Sequence, residues 1–152
     1  MDLKTRIFDA MKAAMKDRDQ VRVAALRLIR DAIQKTELEA NQDLDDPGVI
    51  QVLARLKKQR EESLAAFQSG GREDLAGRER REIEIILEFL PAAMSADELK
   101  ALVAQAVSET AAAGLADLGK VMKALKGRYE GRAPGKDVSE EVKRQLQPAS
   151  GA

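Results

Sequence analysis

Apolar residues recur at helical spacing almost from the first residue of the chain. Leu3, Ile7, Met11 and Met15, with Phe8, Ala10 and Ala14 beside them, predict a first amphipathic helix. Asp17–Gln20 breaks the pattern, and Val21–Glu39 resumes it. This second segment has two adjoining stripes: Val21, Ala24, Ala25, Leu28 and Ala32 on one, Leu26, Ile29 and Ile33 on the other. A helix apolar over that width is expected at the centre of a bundle. Asn41–Asp46 is polar, but Asp43, Asp45 and Asp46 lack the closing glutamate of a calcium loop. Asp46-Pro47 reads instead as an N-cap with proline at the first helical position.

A third helix is predicted from Pro47 to about Gln68, with Val49, Val52, Leu53, Leu56, Leu64 and Phe67 as its stripe and Arg60 in the middle. After Gly70-Gly71, a fourth runs from about Arg72 to Leu90. Its stripe is Ala76, Ile83, Ile86, Leu87 and Leu90, with Glu79 in the middle. Helices joined by so short a turn pack antiparallel, so Arg60 and Glu79 are candidates to meet. The pairing can be a buried ion pair that fixes helix register, which is the favoured reading, or can hold a catalytic carboxylate. Ile85 and Phe89 fall off this stripe and are expected to face a further helix, a second domain or a partner.

Pro91 ends the first unit. Ser95 and Glu98 form a capping-box pattern, with Met94 and Leu99 as its hydrophobic staple, so the domain boundary is expected near 91–94. A fifth helix runs through Leu99, Leu102, Val103, Ala106 and Val107 to about Gly114. Asp117 can cap a sixth, Leu118–Lys126; Asp137 and Glu140 can cap a seventh carrying Val138, Val142 and Leu146. The expectation is an all-α chain: a four-helix domain over 1–91, a three-helix domain over 94–147 and a tail, Pro148–Ala152.

Composition removes several chemistries. The 152 residues contain no Cys, His or Trp, which excludes disulfides, Cys–His and Ser-His-Asp nucleophiles and ordinary structural zinc. No catalytic residue, metal ligand or cofactor is expected. No run approaches the roughly 20 apolar residues of a membrane span, and Asp2, Lys4 and Arg6 charge the N-terminus, so a cytoplasmic protein without a membrane partner is expected.

Bulk charge is silent, with Lys+Arg 26 against Asp+Glu 26. Its distribution is informative. Leu118–Lys136 (LGKVMKALKGRYEGRAPGK) holds Lys120, Lys123, Lys126, Arg128, Arg132 and Lys136 against one acid, Glu130. Leu118, Val121, Met122 and Leu125 share one helix face, which puts Lys120, Lys123 and Lys126 on the other. A lysine row running into a Gly-rich basic loop suits a phosphate backbone; a merely solvated face is the plainer alternative. Gly131–Lys136 (GRAPGK) is not a P-loop, because three residues separate its glycines and Asp137 replaces the magnesium-binding hydroxyl.

Three blocks, Lys57–Phe67 (KKQREESLAAF), Gly71–Pro91 (GREDLAGRERREIEIILEFLP) and Leu118–Leu146, resemble the GatB/YqeY family, and its small stand-alone YqeY-like members in particular. The motifs are G-R-x-D-L, E-x-x-E-I and L-P, then G-K-V-M ahead of K-G-R and R-A. The resemblance implies a helical N-terminal domain and a three-helix C-terminal domain similar to the tail of the B subunit of tRNA-dependent amidotransferases. That tail helps hold tRNA, while the catalytic part of the B subunit has no counterpart here. A carbon–nitrogen ligase activity with glutamine as amido donor is therefore a family analogy, not an expectation for the isolated chain. The chain departs from the common family pattern at Lys123 and Pro134, where Gly and Asp are frequent.

The resulting expectation is a tRNA-binding accessory protein acting in translation, with the six cations on phosphates. Two alternatives remain: a protein-interaction adaptor using Ile85 and Phe89, and a non-catalytic component of an amidotransferase complex.

Overall fold

The computed structural model describes residues 1–147, so the expected tail Pro148–Ala152 lies outside the described residues. Every α-helix and turn among the described residues fits an all-α architecture, with seven α-helices and one short 3-10 turn. The chain divides into two compact units, Met1–Pro91 and a second beginning at Ala92.

The first unit contains α1 (Leu3–Lys16), α2 (Gln20–Ala40), α3 (Asp46–Ser69) and α4 (Glu73–Leu87). Short acidic side chains start the first three. Asp2 accepts from Thr5 N, Asp19 from Arg22 N and Asp45 from Gly48 N, each satisfying an otherwise orphan N–H. The α3 cap is thus Asp45, one residue before the expected Asp46. Asp46 is free to accept from Leu3 N at 2.9 Å, which ties the start of α1 to the start of α3. Glu37 adds a second tie. It takes Lys4 Nζ at 2.7 Å and Leu44 N at 2.8 Å, and the lysine bond holds its carboxyl below the ordinary range.

Ile7, Leu26, Ile29, Ile33, Val49 and Leu53 are fully buried around the centre of this unit. Each such side chain contributes about 1.5–3 kcal/mol of transfer free energy. Arg22 Nη1 also donates to both carboxylate oxygens of Glu88, at 2.8 and 3.1 Å.

Three expected faces turn out differently. On α1, Ala14 is buried and Met15 exposed, so the stripe ends one position early. On α2, only the Leu26, Ile29 and Ile33 stripe is fully enclosed; Val21 and Leu28 remain 42% and 44% exposed. On α4, the buried positions are Ala76, Glu79, Glu82, Ile85 and Ile86, while Leu87 is exposed. Helix α4 also stops at Leu87 rather than Leu90. Glu88 N and Phe89 N then bond to Ile85 O and Ile86 O, and this tighter turn carries Phe89 into the core. Ile85 and Phe89, 8% exposed each, thus face the other helices of the unit, and the contact patch of the adaptor alternative is closed. Arg6 lies over the Phe89 ring at 5.9 Å.

The second unit contains α5 (Ala96–Thr110), α6 (Leu118–Leu125) and α7 (Gly135–Leu146), with a 3-10 turn at Leu115–Asp117. Val103, Ala106, Val121, Leu125, Val138, Val142 and Leu146 form its core. Ser95 Oγ accepts from Glu98 N at 3.1 Å, the forward half of the expected capping box. The Glu98 carboxylate is used elsewhere: it takes Arg132 Nη2 at 2.9 Å. Helix α5 ends earlier than expected, at Ala111 in the left-handed region (φ 53). Asp117 does not cap α6 but accepts from Ala113 N at 2.8 Å. Helix α7 starts at Gly135 behind Pro134, ahead of the Asp137 start expected, and has no side-chain cap.

Arg132 also donates to Ala92 O at 2.9 Å, and Met94 N donates to Arg132 O at 2.8 Å. The segment after Pro91 is thus fastened to the second unit, and the division falls just before it. A fragment of residues 92–147 is expected to show helical circular dichroism and a cooperative melt, although about 55 residues is near the lower limit for independent folding. Limited proteolysis of the whole chain is expected to cut first around 91–95 or in the Gly131–Gly135 loop. A fragment that melts without cooperativity, or early cleavage within Val49–Phe67, would contradict this.

Candidate nucleic-acid interface

The α6 sequence settles its own orientation. Val121 and Leu125 are fully buried and Leu118 and Met122 partly so, which leaves Lys120 and Lys123 on the open face. Lys126 follows at the C-cap, also exposed, and Gly127 takes the left-handed φ of 87 that turns the chain away. Lys136 is exposed in the first turn of α7. There its charge sits against the positive end of the helix, an arrangement an anion relieves.

The six cations separate into two groups. Arg128 donates to Glu109 at 3.0 Å, and Arg132 to Glu98 and Ala92 O. Both arginines are half-buried and hold the loop after α6 against α5 and the entry to the unit. Lys120, Lys123, Lys126 and Lys136 make no ion pair among the described residues. Tyr129 packs against the core of the second unit, and burial raises its hydroxyl above its ordinary pKa. It is not presented as a stacking platform for a base.

The chain matches the model of a family described as Yqey-like protein over residues 4–146. It belongs to the YqeY-like family. This YqeY-like chain is also similar to three yeast proteins, each called Altered inheritance of mitochondria protein 41, mitochondrial. Identity to the Kluyveromyces lactis protein is 34% over 103 residues, 65% of this chain and 55% of that protein. For Lachancea thermotolerans it is 35% over 81 residues, 53% and 43% of the two chains. For Candida glabrata it is 30% over 94 residues, 59% and 52%. The chain spans about half the length of the curated relatives it matches. Their names overturn the cytoplasmic expectation, since all three are designated mitochondrial. Among the described residues, no helix is long and apolar enough to cross a membrane.

The second candidate constellation of this YqeY-like chain lies in the first unit. Arg60 Nη1 is 3.8 Å from Glu79 Oε2, and Arg60 Nε is 3.2 Å from Glu82 Oε2. Glu82 did not stand out in the sequence. The signal for it is the i, i+3 spacing from Glu79, which puts both carboxylates on one helix face. Arg78 Nε approaches Glu82 Oε1 at 3.7 Å from the exposed side. Oε2 of each glutamate is buried without a hydrogen-bond partner among the described residues. Burial first, and the Glu82 charge second, push the Glu79 carboxyl above its ordinary pKa, against the opposing pull of Arg60 and Arg78. Among the described residues, Arg60 is the one half-buried guanidinium facing the two buried acids, and Arg78 reaches them only from the exposed side.

Proposed function

We propose that the chain is a non-catalytic RNA-binding accessory protein that holds folded RNA, tRNA in the first instance, by its phosphates. The observation supporting this is the division among the six cations: four exposed lysines around α6 and the α7 start have no carboxylate partner among the described residues, whereas the two arginines are spent on structure. Phosphates supply the missing counter-charge, and lysine meets them as a point charge without demanding a fixed geometry. With Tyr129 packed inward, recognition falls to backbone and shape rather than to bases. The choice of tRNA rests on the family's likeness to the amidotransferase tail.

The test is a filter-binding titration with unmodified tRNA at several salt concentrations. Four phosphate contacts give a slope of log K against log[salt] of roughly −3 to −4. Each single Lys→Ala change at 120, 123, 126 or 136 is expected to flatten it by about one unit, equally for different tRNAs. Arg128→Ala and Arg132→Ala are expected to lower the melting temperature of the unit instead. Absence of binding at low salt would end the RNA reading.

A further inference from the structure

The exposed stripe of α2 is one wall of an open groove of about 560 Å³, whose other wall is α4. Val21 and Ala24 line it on one side and Gly77, Arg78 and Arg81 on the other, with the buried Glu82 beneath. Leu28, 44% exposed and lining a small cavity that shares Glu82, continues the apolar wall, giving a run of about 11 Å or two helical turns. Nothing in the first unit covers this stripe.

Gly77 is the second observation. Glycine inside a helix weakens it relative to alanine, and is normally kept where a side chain would collide. A Cβ at Gly77 would meet nothing within 4 Å. Packing within the unit therefore gives no reason for glycine there. A backbone approaching from outside, along the groove, does.

We propose that the α2–α4 groove docks an amphipathic helix of a partner protein whose flanks are acidic. The apolar face of that helix would lie on Val21, Ala24 and Leu28 and cross close to Gly77, as small residues permit at helix crossings. Its carboxylates would meet Arg78 and Arg81. Arg81 pairs with no carboxylate among the described residues, and the Arg78 side chain is 68% exposed beyond its 3.7 Å approach to Glu82. A second copy of this chain fits less well, because an isologous contact would set the same arginines against each other. A nucleic acid fits less well, because the α2 wall gives it Gln20 beside apolar Val21 and Ala24, and the floor is the Glu82 carboxylate.

The experiment is an NMR titration of the full chain, following backbone amides. The probe is a synthetic 16-residue helical peptide with a Leu/Ala stripe and glutamate flanks; the control keeps the stripe and carries lysine flanks. Shifts are expected at residues 20–28 and 77–82, with at least tenfold tighter binding of the acidic peptide. Arg81→Glu is expected to reverse that preference. Gly77→Leu is expected to abolish binding while keeping the circular dichroism spectrum and a melting temperature no lower than that of the unaltered chain. Equal binding of both peptides, shifts located elsewhere, or undiminished binding by both variants would overturn the proposal. So would self-association that Gly77→Leu removes, which would make a second copy the occupant, or tRNA shifting the same amides.

Discussion

Reversing Lys120, Lys123 and Lys126 to glutamate together is expected to weaken tRNA binding by at least about 100-fold at 0.1 M salt, with the fold intact. The estimate follows from counterion release, since three lost phosphate contacts remove about 2.7 decades between 1 M and 0.1 M salt at a slope near 0.9 per contact. Repulsion by the new carboxylates adds to the loss. The fold is spared because α6 is held by Val121 and Leu125 on its opposite face and, among the described residues, none of the three lysines has an ion-pair partner to lose. Circular dichroism and thermal melting, measured beside the titration, separate the two effects. A triple variant that binds as tightly as the unaltered chain would show that RNA, if bound, lies elsewhere. A matched double variant, Arg128→Gln with Arg132→Gln, is expected to do the reverse. It should leave much of the binding in place and loosen the second unit by freeing Glu109, Glu98 and the Ala92 carbonyl.

The Arg60 cluster is expected to respond asymmetrically. Arg60→Met strips both Glu79 and Glu82 of their main counter-charge and should cost about 3 kcal/mol, the lower end of the 3–5 kcal/mol seen for orphaned buried charges because Arg60 is partly exposed. Glu79→Gln should cost little, or stabilise, because Arg60 keeps Glu82 and the carboxyl removed is one already disfavoured in its ionised form. The pH dependence has a definite sign. A carboxyl raised in the folded state contributes stability that is complete below its unfolded value, near 4.5, and is lost as pH rises through the folded value. The advantage of Glu79→Gln over the parent should therefore grow from pH 4.5 towards pH 7. Arg60→Met should be weakest at neutral pH and recover part of its stability on acidification. Arg60→Met with Glu79→Leu and Glu82→Leu should regain most of the loss by replacing charge with apolar packing. Urea denaturation at three pH values decides the matter. Equal losses for Arg60→Met and Glu79→Gln, or a loss under about 0.5 kcal/mol for both, would show that the groups behave as exposed ones.

The sequence by itself determined the helices, the composition of both cores in broad outline, and the open side of α6. Helical periodicity is local, and where four apolar residues define a narrow stripe, as Leu118, Val121, Met122 and Leu125 do, the polar face follows from the geometry of the helix alone. Tertiary structure decided what periodicity leaves degenerate. Ile83, Ile85, Ile86, Leu87, Phe89 and Leu90 surround the end of α4, so several rotations bury a similar amount of apolar surface. Pairing with Arg60 and the tight turn after Leu87 selected the one that buries Glu82, Ile85 and Phe89. The two stripes of α2 posed the same ambiguity, and packing enclosed one while leaving Val21 and Leu28 open beside α4. The basic segment shows the limit most clearly. Six cations look alike in a string, but Glu98 and Glu109 lie 34 and 19 residues from the arginines they hold, and only folding brings such distant charges within 3 Å. Charge partners are non-local, so which cations are left for a ligand is a property of the fold.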